Sequence, residues 1–122
     1  MKERRKEKRQ HLNSYVAVYD RTTGDHIGCL VDMTTEGIKV MSNKPFDPDS
    51  DVKLRVSIPF EISGGKTITF DAKCRWCNKK DNPDLYEIGF QTTCVSPTTS
   101  ETIKNLIASP LFKSTLKFAA KD

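Results

Sequence analysis

At 122 residues the sequence has room for one domain with a modest core. Its 36% apolar and 30% charged composition excludes a disordered chain, and no run reaches the roughly 20 apolar residues of a membrane helix. The formal charge of +4 is concentrated at one end: residues 1–10 hold six basic side chains against Glu3 and Glu7, which leaves 14 of each sign in residues 11–122. A neutral body argues against a face for duplex nucleic acid, whereas a short cationic arm suits a compact anion or a solvated tail. No apolar stretch follows the charged start, so a secretion signal is not expected there and a cytoplasmic location is. In that reducing compartment Cys29, Cys74, Cys77 and Cys94 are expected as free thiols.

In chain order, residues 1–13 read as a flexible basic arm, residues 14–95 as a β domain and residues 96–109 as a helix. The first strand is predicted over residues 15–19, the second over 26–31 and the third over 37–42, with Ile38, Val40 and Ser42 on one side. Prolines 45 and 48 mark residues 43–50 as a loop. Residues 51–58 alternate cleanly, with Val52, Leu54, Val56 and Ile58 on one face. A hairpin turn over residues 63–66 leads into a long strand over 67–78, and a second turn at 81–84 into the last strand, 85–93. Beyond Pro97 the period changes: Thr98 and Glu101 fit a capping box, and Ile103, Leu106 and Ile107 recur at helical spacing. Residues 110–122 fit a second short helix or a tail. Six strands with one apolar face each are expected to close into an antiparallel β-barrel, an all-β-dominated fold with a C-terminal α-helix covering one end or side.

Catalytic chemistry finds little support. The sequence has two histidines, no nucleophile elbow, no HExxH and no phosphate loop. Cys74 and Cys77 have CxxC spacing, yet neither Cys29 nor Cys94 brings a second close ligand for zinc. In an uninterrupted strand, residues three apart face opposite ways, so the pair is expected to be structural and no metal or cofactor is expected.

Two elements could bind a ligand. Arg5 and Arg9 are two guanidinium forks about 13 Å apart on an extended chain, each suited to a phosphate or to a guanine edge and able to stack on a base. The bland reading is a solubilising tail. Asp32, Thr34 and Gly37 offer a carboxylate that can accept two parallel hydrogen bonds, a hydroxyl, and a position without a side chain. As a turn, the same segment would have Asp32 bonding its own backbone and Gly37 supplying a positive φ.

Taken together, Arg5-x-x-x-Arg9 and, 23 positions after Arg9, Asp32-x-Thr34-x-x-Gly37 resemble the two-part signature of PilZ domains, bacterial receptors for the second messenger cyclic di-GMP. The resemblance extends over residues 3–108 and includes Glu87-Ile88-Gly89-Phe90. It implies that Arg5 and Arg9 hold phosphates and stack on guanine, that Asp32 reads a guanine edge, and that Thr34 contacts phosphate in place of the more usual serine. By the same resemblance Gly37 keeps the surface open, and Arg4, just before the paired arginines, favours a stacked pair of ligands over one. The implied function is a stand-alone cyclic di-GMP receptor in which binding orders the arm against the barrel and changes a surface for a downstream protein. The alternatives are a PilZ-like scaffold that binds no cyclic di-GMP, and a single-stranded nucleic-acid-binding barrel. Against the last stand the neutral body and the absence of an aromatic platform, so neither nucleic acid nor membrane insertion is expected.

Overall fold

A computed structural model describes residues 16–81 and 84–121 of the chain. Six antiparallel strands follow one another as β1 (Ala17–Asp20), β2 (His26–Thr34), β3 (Gly37–Ser42), β4 (Asp51–Ser57), β5 (Thr67–Lys79) and β6 (Tyr86–Cys94). They close in the order β1-β2-β3-β6-β5-β4, with β4 pairing back onto β1. Closure pairs both edges of the sheet, and the alternating apolar residues become a single interior. Val18, Leu30, Val40, Leu54, Val56, Cys74 and Ile88 are fully buried there. The alternation predicted for residues 51–58 holds: Val52, Leu54, Val56 and Ile58 are all buried. Ser42 shares the inner side with Ile38 and Val40, and its hydroxyl donates to the Ile27 carbonyl at 2.6 Å and accepts from the Lys44 N–H at 3.1 Å.

Two features differ from the sequence expectation. Between β4 and β5 the chain makes a single helical turn, α1 (Phe60–Ser63), and only then reverses at Gly64 and Gly65, whose φ angles are 73° and 83°. The left-handed Gly64 ends the turn by donating to the Phe60 carbonyl at 2.8 Å. Helix α2 (Pro97–Ile107) is capped by Ser96, whose hydroxyl accepts from the Thr99 N–H at 3.1 Å, and not by a box at Thr98 and Glu101. Proline sets the phase: it suits the first helical position, where no N–H has to be satisfied, so the cap falls one residue before Pro97. Residues 110–121 are helical, as α3 (Pro110–Lys121).

The helices complete the core. Ile103 and Leu106 of α2 and Phe112 and Leu116 of α3 are buried in the same cluster as the barrel interior, with α2 packed over β2 and β5 and α3 over β2. Phe112 is 1% exposed. Among the described residues no helix is long and apolar enough to cross a membrane.

Candidate functional site

Asp32 and Thr34 lie on β2, which continues past the predicted end at residue 31, so the β2–β3 hairpin turns on Thr35 and Glu36 alone. In strict alternation Asp32 would share the inward face with Leu30. A bulge between Leu30 and Asp32 prevents this: Leu30 and Val31 are both buried, and Asp32 and Thr34 emerge on the outside. The bulge therefore spares the interior an unpaired carboxylate.

Once outside, Asp32 accepts a hydrogen bond from the Met33 N–H through Oδ1 at 2.9 Å, which leaves Oδ2 without a protein partner among the described residues. Thr34 Oγ1 accepts from the Glu36 N–H at 3.1 Å and donates to the Gly37 carbonyl at 3.4 Å, bracing the turn. Gly37 does not supply a positive φ; that expectation fails because it pairs with Thr34 and Gln91 as an ordinary strand residue. Glycine is needed there for space, since a Cβ would overlap the Phe90 carbonyl oxygen of β6.

A second bulge, on β5 between Cys74 and Trp76, shapes the opposite wall. It leaves Arg75 as the extra residue and turns Trp76 outward, opposite Gly89 of β6. The indole lies over Gly89 so closely that a Cβ at that position would come within 2.3 Å of the Trp76 Cε2 atom. Cys77 consequently turns inward and packs against the core beside Cys74, contrary to the opposite facings expected of residues three apart. Burial pushes the Cys74 thiol up, and Cys77 nearby adds to the shift. A thiol shifted that way is less ionised at neutral pH, the reverse of a reactive thiolate. Among the described residues no three His, Cys, Asp or Glu side chains converge as metal ligands.

The two bulges face each other across one row of the barrel's outer surface. Asp32 pairs with Lys39, Lys39 with Gly89, and Gly89 with Trp76. In the neighbouring row Thr34 pairs with Gly37, Gly37 with Gln91, and Gln91 with Lys73. Each row has one glycine, and between the rows lies an open groove of about 300 Å³. Asp32, Thr34 and Gly37 thus line one site, together with Lys39, Arg75 and Trp76, which sequence reasoning passed over. Its charges are loosely held: Lys39 Nζ stands 3.8 Å from Glu87, and Arg75 Nη1 stands 3.8 Å from Asp49. Arg4, Arg5 and Arg9 lie outside the described residues.

A larger hollow of about 510 Å³ opens between the β1–β2 turn and β4–β5, lined by Asp20, Asp51, Lys53 and Asp71. Size does not make it the site. Asp71 is held by Arg21 at 2.9 Å and Lys53 at 3.5 Å, Asp51 by Lys73 at 3.3 Å, and Asp20 Oδ1 accepts from the N–H groups of Thr22 and Thr23. Asp71 has both oxygens engaged by cations, and Asp20 and Asp51 each have one oxygen engaged.

The model of the PilZ domain family matches residues 3–109. This chain belongs to the PilZ domain family. Solved structures share its fold. Bacillus subtilis inhibitor of motility (MotI/DgrA) matches with a TM-score of 0.61 at 10% identity, over 80% of this chain and 49% of that one. Escherichia coli YcgR, in complex with c-di-GMP, matches with a TM-score of 0.61 at 17% identity, over 88% of this chain and 45% of that one. The PilZ chain described here thus spans about half the length of either. A comparison with curated protein sequences found no match. Within the PilZ fold, Glu87-Ile88-Gly89-Phe90 acquires a physical meaning: Ile88 and Phe90 are buried in the core, Gly89 seats the indole, and Glu87 holds Lys39 and Lys80 at 3.8 and 3.6 Å.

Proposed function

We propose that this PilZ domain is a cyclic di-GMP receptor that signals by binding and catalyses nothing. The observation that carries the reading is the outward Asp32 carboxylate, with one oxygen uncommitted among the described residues, in a glycine-floored groove beside the half-buried Trp76 indole. Guanine presents N1–H and N2–H side by side, and a carboxylate accepts both when it is ionised. The Trp76 ring offers a flat apolar surface of the kind on which purines stack. Family membership and the cyclic di-GMP bound to YcgR support the same ligand.

In this reading Arg5 and Arg9 grip the phosphates from the arm, and Thr34 adds its hydroxyl at the groove's rim. Arg4 favours a stacked pair of ligands. Binding fixes the arm against the barrel, and the surface so formed, not a product, is what a separate protein partner reads. Calorimetric titration of cyclic di-GMP tests the reading. Heat at micromolar ligand that disappears in Arg9→Ala and in Asp32→Ala is expected, and a silent wild-type titration would overturn it.

A further inference from the structure

The β5 bulge does more than turn Trp76 outward. It also leaves Arg75 without a cross-strand partner and puts this residue in the groove wall. The carboxylate beside it belongs to Asp49, 3.8 Å from Nη1, and the two side chains are 51% and 81% exposed. At that distance the pair lacks a hydrogen bond, and at that exposure water screens it. Elsewhere on the barrel Arg21 meets Asp71 at 2.9 Å.

Asp49 is anchored by its backbone. Its N–H donates to the Cys74 carbonyl at 2.6 Å, its carbonyl accepts from Lys73 Nζ at 3.4 Å, and its φ of 71° places it in the left-handed region. None of these bonds involves the carboxylate. The loop therefore keeps its shape whether or not Asp49 is charged, and the carboxylate stays poised over Arg75.

We infer that Arg75 is a further anion-gripping guanidinium of the groove, and that Asp49 is its resting partner, displaced when a ligand phosphate arrives. The inference rests on the cyclic di-GMP reading above. A phosphate offers the guanidinium fork two parallel charge-assisted hydrogen bonds, a better geometry than one long contact with a solvated carboxylate. Asp49 then acts as a built-in competitor. By holding part of the Arg75 population away from the ligand, it lowers the apparent affinity without touching the ligand itself.

A double-mutant cycle measured by titration with cyclic di-GMP tests this. Asp49→Asn removes the charge but suits the left-handed backbone, which asparagine tolerates. It is expected to tighten binding roughly two- to fivefold, the scale of a freed surface pair. Arg75→Ala should weaken binding about tenfold and Arg75→Lys by less, since lysine keeps the charge and loses the fork. In the Arg75→Ala background, Asp49→Asn should do no more than Asp47→Asn, which changes the charge of the same loop. Thermal unfolding midpoints close to wild type accompany each expected result. Equal effects of Asp49→Asn with and without Arg75, or wild-type affinity in Arg75→Ala, would overturn the exchange and leave the receptor reading standing. Absence of binding by the wild type removes both.

Discussion

The two hollows on the outer surface differ less in size than in what their charges are doing. Around the larger one, Asp20, Asp51 and Asp71 are each engaged by a backbone N–H or by a cation at 3.5 Å or less. Around the smaller one, Asp32 has one oxygen without a partner among the described residues, and Lys39 and Arg75 stand 3.8 Å from their carboxylates. The first arrangement fits cross-strand pairs that stabilise a sheet, because Asp51 faces Lys73 and Lys53 faces Asp71 in the β4–β5 register. The second has unspent capacity for a ligand.

Substitutions can sharpen or break that contrast. The largest effect is expected from Asp32→Asn, which keeps an acceptor for the Met33 N–H and replaces the second carboxylate oxygen with a donor. Losing a charge-assisted pair of bonds costs about 2–3 kcal/mol of ligand affinity, roughly a hundredfold in Kd by calorimetry, with the melting temperature unchanged. An equal loss of stability would place Asp32 among the structural carboxylates instead.

Next come the glycines. Gly37→Ala drives a Cβ into the Phe90 carbonyl, which is backbone and cannot swing away, so a stability loss of about 1–3 kcal/mol in chemical denaturation is expected. At Gly89 the obstacle is the half-buried Trp76 side chain, which can rotate outward. Gly89→Ala should therefore cost less stability, shift the tryptophan emission to the red and weaken cyclic di-GMP. If both alanines behave alike, the groove floor is a matter of strand packing only.

A smaller effect belongs to the paired hollow. Asp71→Asn removes the charge shared by Arg21 and Lys53, whose side chains are about a third or more exposed, and should cost about 0.2–1 kcal/mol. The cost shrinks in high salt, and ligand affinity stays within twofold as the measured contrast with Asp32→Asn.

The smallest effect is a pH dependence at Cys74. Its folded pKa is raised above the ordinary value of 9.0, chiefly by burial, so the protonated thiol stabilises the fold fully below that value. Stability is lost as pH rises from there through the folded pKa. Cys74→Ala should flatten the alkaline limb of a melting-temperature profile, and native Cys74 should react with iodoacetamide more slowly than Cys94, which is exposed.

Much of this was readable in the residues. Period-two alternation located all six strands, because burying one face of a sheet demands it, and the turn residues marked where β1, β3, β5 and β6 stop. Asp32, Thr34 and Gly37 were legible as a set through their order and spacing. Trp76 was not, since in plain alternation with Cys74 it belongs inside the barrel, where a large apolar ring raises no suspicion. Lys39 and Arg75 carry no signal in the sequence, because charges on the outer face of a strand are ordinary. The Ser96 cap was missed because two overlapping cap signals compete there, and proline geometry decides between them.

What the residues determined by themselves is the barrel, because apolar alternation is a local property that survives without knowledge of any partner strand. Which side chains meet in the groove was decided only by tertiary structure. An extra residue in a strand becomes a bulge by failing to match its neighbour, and that mismatch exists only once β2 lies against β3 and β5 against β6. Those two mismatches turn Asp32 and Trp76 to the same face, and Gly37 and Gly89, on the strands between them, leave the space.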